Sequence, residues 1–516
     1  MNMDFSFSIL SPICDSIKKY RDRNAFFING KYYSYNCFSE RISAIRVAIK
    51  TLHSDEQVCA IAVHDDLDTY ATIIALWMEG KAYVPLHPNQ PLERNLNIIR
   101  QVDLHYVFDS EKNSAFGTVC GVDVVNTSSL NFETEFIDDW GETSDDKLAY
   151  ILFTSGSTGV PKGVCISRSN IAAFMDSFWK TGISITVEDR CLQAFDLTFD
   201  VSVQSYLSAL SRGACLYTVP YGQVKYLYVA SLIQKQRITF GAMAPSMLTY
   251  LRPYFGEFNA SSLRQCILTA EACPADLIEA WTDCASNVEV YDFYGPTEAT
   301  VYCTCYKVVQ GKQILSNNGV VSIGKPLANV QAIILDEDGK QIPQNSGDKC
   351  KGELCVAGKQ VTQGYWNNPE KNSLSFFDFP PQNNNDGGSV MESNRFYHTG
   401  DLCYWDESGN IMYCGRIDQQ AKIQGFRVEL GEIEFHAREF FKNEKRVVAI
   451  AFQNSDNLTE IALFIESEAM ETKPLVEYLR GKMPSYMIPT RTLFESVFPL
   501  NKSEKIDRVI LKQKLL

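Results

Sequence analysis

Residues 153–164 read Phe-Thr-Ser-Gly-Ser-Thr-Gly-Val-Pro-Lys-Gly-Val, and every position from Thr154 to Gly159 is Thr, Ser or Gly. Thr154, Ser155, Ser157 and Thr158 supply hydroxyls, Gly156 and Gly159 leave backbone N–H groups unobstructed, and the Lys162 ammonium follows Pro161. The run therefore reads as a phosphate cradle. It has neither the Gly-x-x-x-x-Gly-Lys-Ser/Thr spacing of a Walker loop nor the Gly-x-Gly-x-x-Gly of a dinucleotide fold. A Ser/Gly tract standing alone would be a flexible linker. Here it follows Leu-Ala-Tyr-Ile-Leu-Phe (148–153), an apolar run of strand character, and a strand feeding such a loop is where a nucleotide phosphate sits.

Outward from this loop, strand-like runs alternate with amphipathic stretches from about residue 20 to 350. Val58–Val63 is followed by a helical stretch through Thr69–Gly80, Tyr83–Leu86 by one through Leu92–Gln101. That alternation predicts an α/β fold of parallel sheets covered by helices. A chain of 516 residues exceeds one ordinary core, so two or more domains are expected. Residues 373–394 turn polar and read as an exposed loop. After Asp418 the pattern changes to a compact βαβ-type unit with a basic tail, which places a hinge at Asp418 between a large domain (1–417) and a small one (418–516).

The net charge of −14 argues against nucleic acid as the main partner, because backbone binding needs a positive footprint. The N-terminus carries Asp4 where a signal peptide would be basic, and no apolar run approaches the roughly 18 residues of a membrane span, so a cytoplasmic location is expected. Sixteen cysteines are scattered without any Cys-x-x-Cys pair; Cys303 and Cys305 lie in an alternating strand-like run, Val301–Tyr306. Reduced thiols are expected, not a structural zinc site.

Five motifs occur in order: Thr154–Lys162, Tyr294-Gly-Pro-Thr-Glu298, Tyr397-His-Thr-Gly-Asp401, Gly415-Arg-Ile-Asp418 with Gly425-Phe-Arg-Val-Glu-Leu430, and Lys505. In this order and spacing the chain resembles, over nearly its whole length, the adenylate-forming superfamily of acyl-CoA synthetases, luciferases and nonribosomal-peptide adenylation domains. Ala82-Tyr-Val-Pro85, Gly352–Gly358 and Gly364-Tyr365-Trp366 look closer to the amino-acid-activating branch. The resemblance implies a large N-terminal domain of helix-covered sheets with a smaller sheet or barrel subdomain, and a small mobile α+β C-terminal domain. It also implies ATP and Mg²⁺: a carboxylate attacks the α-phosphate, giving an acyl-adenylate and pyrophosphate, and two anions must be brought together.

By the same resemblance, Thr154, Ser155, Gly156, Ser157, Thr158, Gly159 and Lys162 hold the β- and γ-phosphates, and Glu298 coordinates Mg²⁺. Tyr294 packs on adenine, Asp292, Phe293, Gly295, Pro296 and Thr297 line the base and α-phosphate, Asp401 with Arg416 holds the ribose, and Tyr413 is a further nucleotide-binding residue. Lys505 reaches between the carboxylate and the α-phosphate; Glu504 stands where the family usually has Gly, and Lys502 is the alternative register. Asp418 is the pivot between two half-reactions, with Gly425-Phe426-Arg427 facing the thiol tunnel in the second.

The Phe-Asp-x-Ser-Val pattern of amino-acid-activating members falls on Phe199–Val203, which implies that Asp200 pairs with the substrate ammonium; Asp196 is the competing register. The remaining lining carried over is Val201, Gln204, Ala242, Ile267, Thr269, Phe293, Val301 and Tyr302, a neutral site partly filled by aromatic rings. L-Proline is the first expectation, with a D-alanine–carrier protein ligase as the alternative. The chain ends eleven residues after Lys505 without a carrier segment, so the expected acceptor is the phosphopantetheine thiol of a separate carrier protein, with free coenzyme A less favoured. Two further readings stay open: an acyl- or aryl-CoA synthetase on the same fold, and a catalytically silent ATP-binding regulator, suggested by Glu504 and by Thr269-Ala270 where the family commonly has Gly-Gly.

Overall fold

The structure, a computed structural model, describes residues 4–52, 55–131, 135–136, 138–140, 144–156, 159–379, 394–418, 420–500 and 506–515. It is a mixed α/β architecture with a large N-terminal part and a smaller C-terminal one. Two compact units emerge. One comprises residues 1–88, 102–152 and 163–417; the other gathers 89–101 and 153–162 with 418–516.

The first unit is built on two large sheets. Among the described residues the nine-stranded sheet runs Lys325–Pro326, Thr304–Lys307, Glu289–Tyr294, Gln265–Thr269, Phe240–Met243, Arg190–Gln193, Cys215–Thr218, Asn24–Ile28, Lys31–Ser34. Its central neighbours are parallel. The seven-stranded sheet centres on Leu148–Thr154, Ala82–Leu86 and Val58–Ala62. Strands covered on both faces must be apolar throughout, and Ala82–Leu86 is buried at all five positions. The helices between strands start where side chains satisfy orphan N–H groups. Asp66 accepts from Thr69 at the head of Leu67–Met78, and Ser167 forms a reciprocal capping box with Asn170 at the head of Arg168–Trp179. An aromatic seam of Phe5, Tyr70, Trp77, Tyr83, Tyr150 and Tyr206 fills the core. A third, antiparallel sheet joins Val330–Leu335, Gly352–Gly358, Arg395–Trp405 and Phe376–Asp378, with Ile411–Arg416 added on Arg395–Trp405.

The alternation read along residues 58–101 forms the expected strands and helices within one or two residues at each end. Two readings change. The run Val301–Tyr306 is not all strand: the ladder holds Thr304–Lys307, while Thr300 and Val301 take left-handed φ values of 55° and 69°. Within 373–394, part of the polar stretch is ordered, since the helix Pro369–Ser375 leads into Phe376–Asp378, which pairs in the antiparallel sheet. Residues 380–393 lie outside the described residues. No helix among the described residues is long and apolar enough to cross a membrane.

In the second unit Val447–Gln453 pairs antiparallel with Thr459–Glu466, which pairs in parallel with Arg491–Glu495. The helices Leu430–Phe440 and Lys473–Arg480 pack on one face, and the tail helix Arg508–Gln513 on the other. The hairpin Gln420–Ile423/Phe426–Glu429 turns through Gln424 (φ 51°) and Gly425 (φ 84°), the two left-handed residues that a two-residue turn matched to strand twist requires.

The tail is anchored by charge. Arg508 Nη2 donates to Glu434 Oε1 at 2.7 Å and Nη1 to the Ala449 carbonyl at 2.8 Å, while the buried Glu434 also accepts from Ala449 N. Removing Arg508 leaves the buried carboxylate with Arg438, 3.7 Å from Oε2, and the Ala449 N–H as its remaining partners. Arg508→Ala should therefore lower stability by about 1–3 kcal/mol, whereas the double variant with Glu434→Leu should recover part of the loss. Urea midpoints, with hydrogen exchange in residues 508–513, check this; a single variant as stable as the wild type contradicts it.

Candidate functional site

The phosphate-cradle residues follow the strand Leu148–Thr154, and residues 153–162 belong to the second unit. A Cβ on Gly156 would lie 2.0 Å from the Val160 carbonyl oxygen, so only glycine permits this turn. The donors of the loop face oxygens of acidic and carbonyl groups. Gly156 N donates to Glu432 Oε2 at 3.1 Å, and Ser155 Oγ donates to the Arg427 carbonyl while accepting from Glu429 N. Lys162, nearly buried, lies 3.7 Å from Glu429 Oε1, and Glu432 is held by Arg94 at 2.8 Å. The loop thus has the chemistry of an anion site, with carboxylates where phosphate oxygens would be matched. Ser157 and Thr158 lie outside the described residues.

In the first unit, Glu289–Tyr294 ends at a reversal whose geometry is demanding. A Cβ on Gly295 would stand 2.4 Å from the Val301 carbonyl oxygen and 2.6 Å from Tyr302 Cα. Pro296 precedes the single turn Thr297–Ala299, and the strained pair Thr300–Val301 follows. β-Branched residues at positive φ persist only where the surroundings over-determine them. Gln360 does this: its Nε2 donates to the carbonyls of Ala299 and Tyr302, and its own carbonyl accepts from Thr300 Oγ1. Glu298, fully buried, is fixed by Thr362 N on its carbonyl and by the Tyr365 hydroxyl on Oε1 at 2.7 Å. Sequence reasoning gave Gln360 no role and Tyr365 only a motif match; nothing local in the sequence marks a glutamine that clamps a turn 60 residues away.

Asp401 and Arg416 are direct cross-strand partners, as are Cys403 and Tyr413. Arg416 Nη1 donates to Asp401 Oδ1 at 3.0 Å and to the Thr399 carbonyl at 2.9 Å, and the Tyr294 hydroxyl donates to Asp401 Oδ2. The Tyr294 ring is part of the core, with burial pushing its hydroxyl well above the usual range. Asp292 is buried on the same strand.

The carried-over lining is buried throughout: Asp200, Val201, Gln204, Ala242, Ile267, Thr269, Phe293, Val301 and Tyr302. Strand register aligns Ala242 with Ile267 and Thr269 with Phe293. The Phe293 and Tyr302 rings lie 4.8 Å apart, and the Tyr302 hydroxyl donates to Gln204 Oε1 at 3.4 Å. Asp200 opens the helix Asp200–Leu210, one turn before Gln204. Burial raises its carboxyl to about 6, against hydrogen bonds from the Thr297 hydroxyl and the Val301 and Val201 N–H groups, and Oδ2 has no partner among the described residues. Asp196 differs: Oδ2 lies 2.8 Å from His87 Nε2 and Oδ1 accepts from Thr198 N and Oγ1. Burial opposes ionisation of Asp196 too, but these partners hold it below the usual carboxylate range. Asp418 is exposed and caps Gln420 N. Lys505, with Lys502 and Glu504, lies outside the described residues, between Leu500 and Ile506, which form an isolated bridge.

Cradle, buried carboxylates and layered sheets define an adenylate-forming enzyme fold, and the comparisons agree. Residues 14–366 match the model of the AMP-binding enzyme family, and the chain belongs to that family. It is 28 % identical over 509 residues to tyrocidine synthase 1 of Brevibacillus parabrevis, covering 97 % of this chain and 44 % of that protein. The chain therefore spans less than half of that relative's length. Its fold matches the Vibrio cholerae adenylation domain AlmE in complex with glycyl-adenosine-5'-phosphate (TM-score 0.84, 23 % identity, 100 % of this chain and 98 % of that one). It also matches holo-PA1221, a nonribosomal-peptide-synthetase protein with adenylation and carrier (PCP) domains bound to a vinylsulfonamide inhibitor (0.83, 20 %, 99 % and 85 %).

Two outcomes follow from the geometry. Gln360→Ala should cost about 2–3 kcal/mol in urea unfolding, because two buried carbonyls lose their donor at a strained turn; an unchanged midpoint contradicts the clamp. Asp200 ionises near pH 4 when unfolded and near 6 when folded, so its burial penalty is absent below about pH 4 and complete above about 6. Asp200→Asn should accordingly stabilise the ligand-free protein by up to about 3 kcal/mol at neutral pH, and by far less near pH 4. A gain of equal size at both pH values would show that the carboxylate is not the cause.

Proposed function

We propose that this chain activates a small, uncharged amino acid, L-proline first, with ATP and Mg²⁺. It forms the aminoacyl-adenylate and transfers the acyl group to the phosphopantetheine thiol of a separate carrier protein. The observation that carries the amino-acid reading is the unpartnered Asp200 Oδ2 in an otherwise neutral lining. A buried carboxylate lacking a partner costs several kcal/mol, and a substrate ammonium supplies the missing charge and donor. Fatty and aryl acids offer neither. Asp196 already has both oxygens committed, which favours Asp200 as the contact. The compared adenylation domains, one in complex with a glycyl-adenylate and one joined to a carrier domain, support a small amino acid and a carrier acceptor. A D-alanine–carrier protein ligase would use the same lining.

In this reading the Ser155–Gly156 donors and Lys162 take the β- and γ-phosphates, and Asp401 with Arg416 takes the ribose hydroxyls. The chemistry of Glu298 fits Mg²⁺: it is a hard oxygen donor, buried and steered by Tyr365. When bound, the ion supplies charge neutralisation between phosphate oxygens. Lys505 adds positive charge at the α-phosphate as the carboxylate attacks, and Asp418 serves as the pivot toward thiol transfer.

An ATP–pyrophosphate exchange panel tests the proposal. L-Proline should give the highest rate, D- and L-alanine and glycine reduced rates, and Arg, Lys, Glu and Trp essentially none. Lys505→Ala should slow adenylation by on the order of 100-fold or more with ATP binding retained. Propionate or benzoate outperforming every amino acid would overturn the substrate class. A loss confined to Lys502→Ala would move the catalytic lysine, and transfer to coenzyme A but to no carrier protein would overturn the acceptor.

A further inference from the structure

The antiparallel pair Gly352–Gly358 and Arg395–Trp405 sets Cys355 opposite His398, with Glu353 two residues before Cys355 on the same strand. The ladder shifts register here, leaving residues 399–401 bulged beside Glu353. Cys355 Sγ lies 3.6 Å from His398 Nδ1, Nδ1 lies 2.8 Å from Glu353 Oε2, and all three donor atoms fall within 4.8 Å of one another. The geometry points to a divalent-cation site built by Glu353, Cys355 and His398, suited to a borderline-soft ion such as Zn²⁺ or Co²⁺ and separate from the Mg²⁺ chemistry of Glu298.

The donor spacing is that of a tetrahedral edge. Bonds of about 2.3 Å to sulfur and about 2.0 Å to nitrogen at a tetrahedral angle hold the two donors roughly 3.5 Å apart, close to the separation of Sγ and Nδ1. The His398–Glu353 contact, now a hydrogen bond, has to lengthen by about half an ångström, and the Cys355–Glu353 separation, within 4.8 Å, has to settle near the same edge length. The charges also close: a divalent ion is neutralised by one thiolate and one carboxylate, with a neutral imidazole as third ligand. On binding, Cys355 loses its thiol proton to solvent and the imidazole hydrogen moves from Nδ1 to Nε2. The thiolate selects against Mg²⁺ and Ca²⁺, which prefer all-oxygen shells.

The surroundings are those of a prepared site. Glu353 Oε1 accepts from Gly400 N at 2.9 Å, which orients the carboxylate, and the His398 ring packs on Phe377 at 4.3 Å. Cys355 is fully buried among Ile333, Leu335 and Phe396, whereas Glu353 and His398 are partly exposed, so an ion enters from their side and keeps a water there. Without an ion, burial holds the thiol far above its usual range and neutral. Gly400 immediately precedes Asp401, so occupancy tightens the segment that the proposed function places on the ribose; that coupling rests on the functional reading, and ion binding does not.

Titrating the metal-free protein with Co²⁺ in a non-chelating reductant tests the site. One equivalent should produce a thiolate-to-cobalt charge-transfer band with tetrahedral visible bands, abolished by Zn²⁺. Cys355→Ser should remove the band, and His398→Asn should weaken binding by at least about 100-fold. Cys120→Ser and Cys350→Ser, which remove exposed thiols, and Glu298→Gln should all retain it. A band that survives Cys355→Ser, or a protein that binds neither ion, overturns the proposal. Should Cys355→Ser fail to fold, unchanged Co²⁺ affinity in His398→Asn, at the exposed edge, overturns it equally. Loss of the band with normal adenylation would leave the functional reading standing, and the reverse pattern would leave the ion site standing.

Discussion

Asp200 Oδ2 is a carboxylate oxygen in the protein interior with no hydrogen-bond partner among the described residues, and the first unit is arranged to keep it there. The helix Asp200–Leu210 starts with this residue, so its backbone lies where helix N–H groups and the Val301 N–H can reach the other oxygen. Val301, left-handed at φ 69°, directs its N–H to that carboxyl, and Gln360 ties down the turn on both sides of it. A structure that maintains an uncompensated charge and a strained β-branched pair within one contact of each other spends stability on geometry, a pattern expected where a ligand completes the site.

The phosphate-cradle loop follows the same logic with opposite sign. Its N–H and ammonium donors are too costly to leave facing nothing, and Glu432 and Glu429 meet them. A carboxylate presents two oxygens at nearly the spacing of a phosphate edge, so the proposed phosphates would meet the same donors with more charge and more oxygens.

Legibility tracked the range of the interactions. The strand entering the cradle and the period of residues 58–101 depend on near neighbours in the chain, and both were readable. Whether Asp196 or Asp200 holds the unpartnered oxygen was not, since it depends on His87, more than a hundred residues earlier in the chain. Left-handed Val301 looked like the start of a strand because β-branched residues favour strands; the close approach of Gly295 and the Gln360 clamp override that preference. The Glu353–Cys355–His398 group escaped a search for close cysteine spacing because its members meet across a ladder, 43 residues apart between Cys355 and His398. Lys505, an expectation from the resemblance, lies outside the described residues.

Under the proposed function, substrate selection is asymmetric. Phe293 and Tyr302 close the lining with apolar surface, and apolar contact separates substrates differing by a methylene by only about 1–3 kcal/mol. The charge at Asp200 discriminates far more strongly, because an acid without an ammonium leaves the carboxylate unpaired, whereas a second charge on the side chain finds no counter-ion among Val201, Gln204, Ala242 and Ile267. The two constraints act on different ends of the substrate. On the proposed function the site is therefore strict about substrate class and permissive among small neutral members of it, and rejection of close relatives would come from the rigidity of the turn that Gln360 holds, not from additional polar contacts.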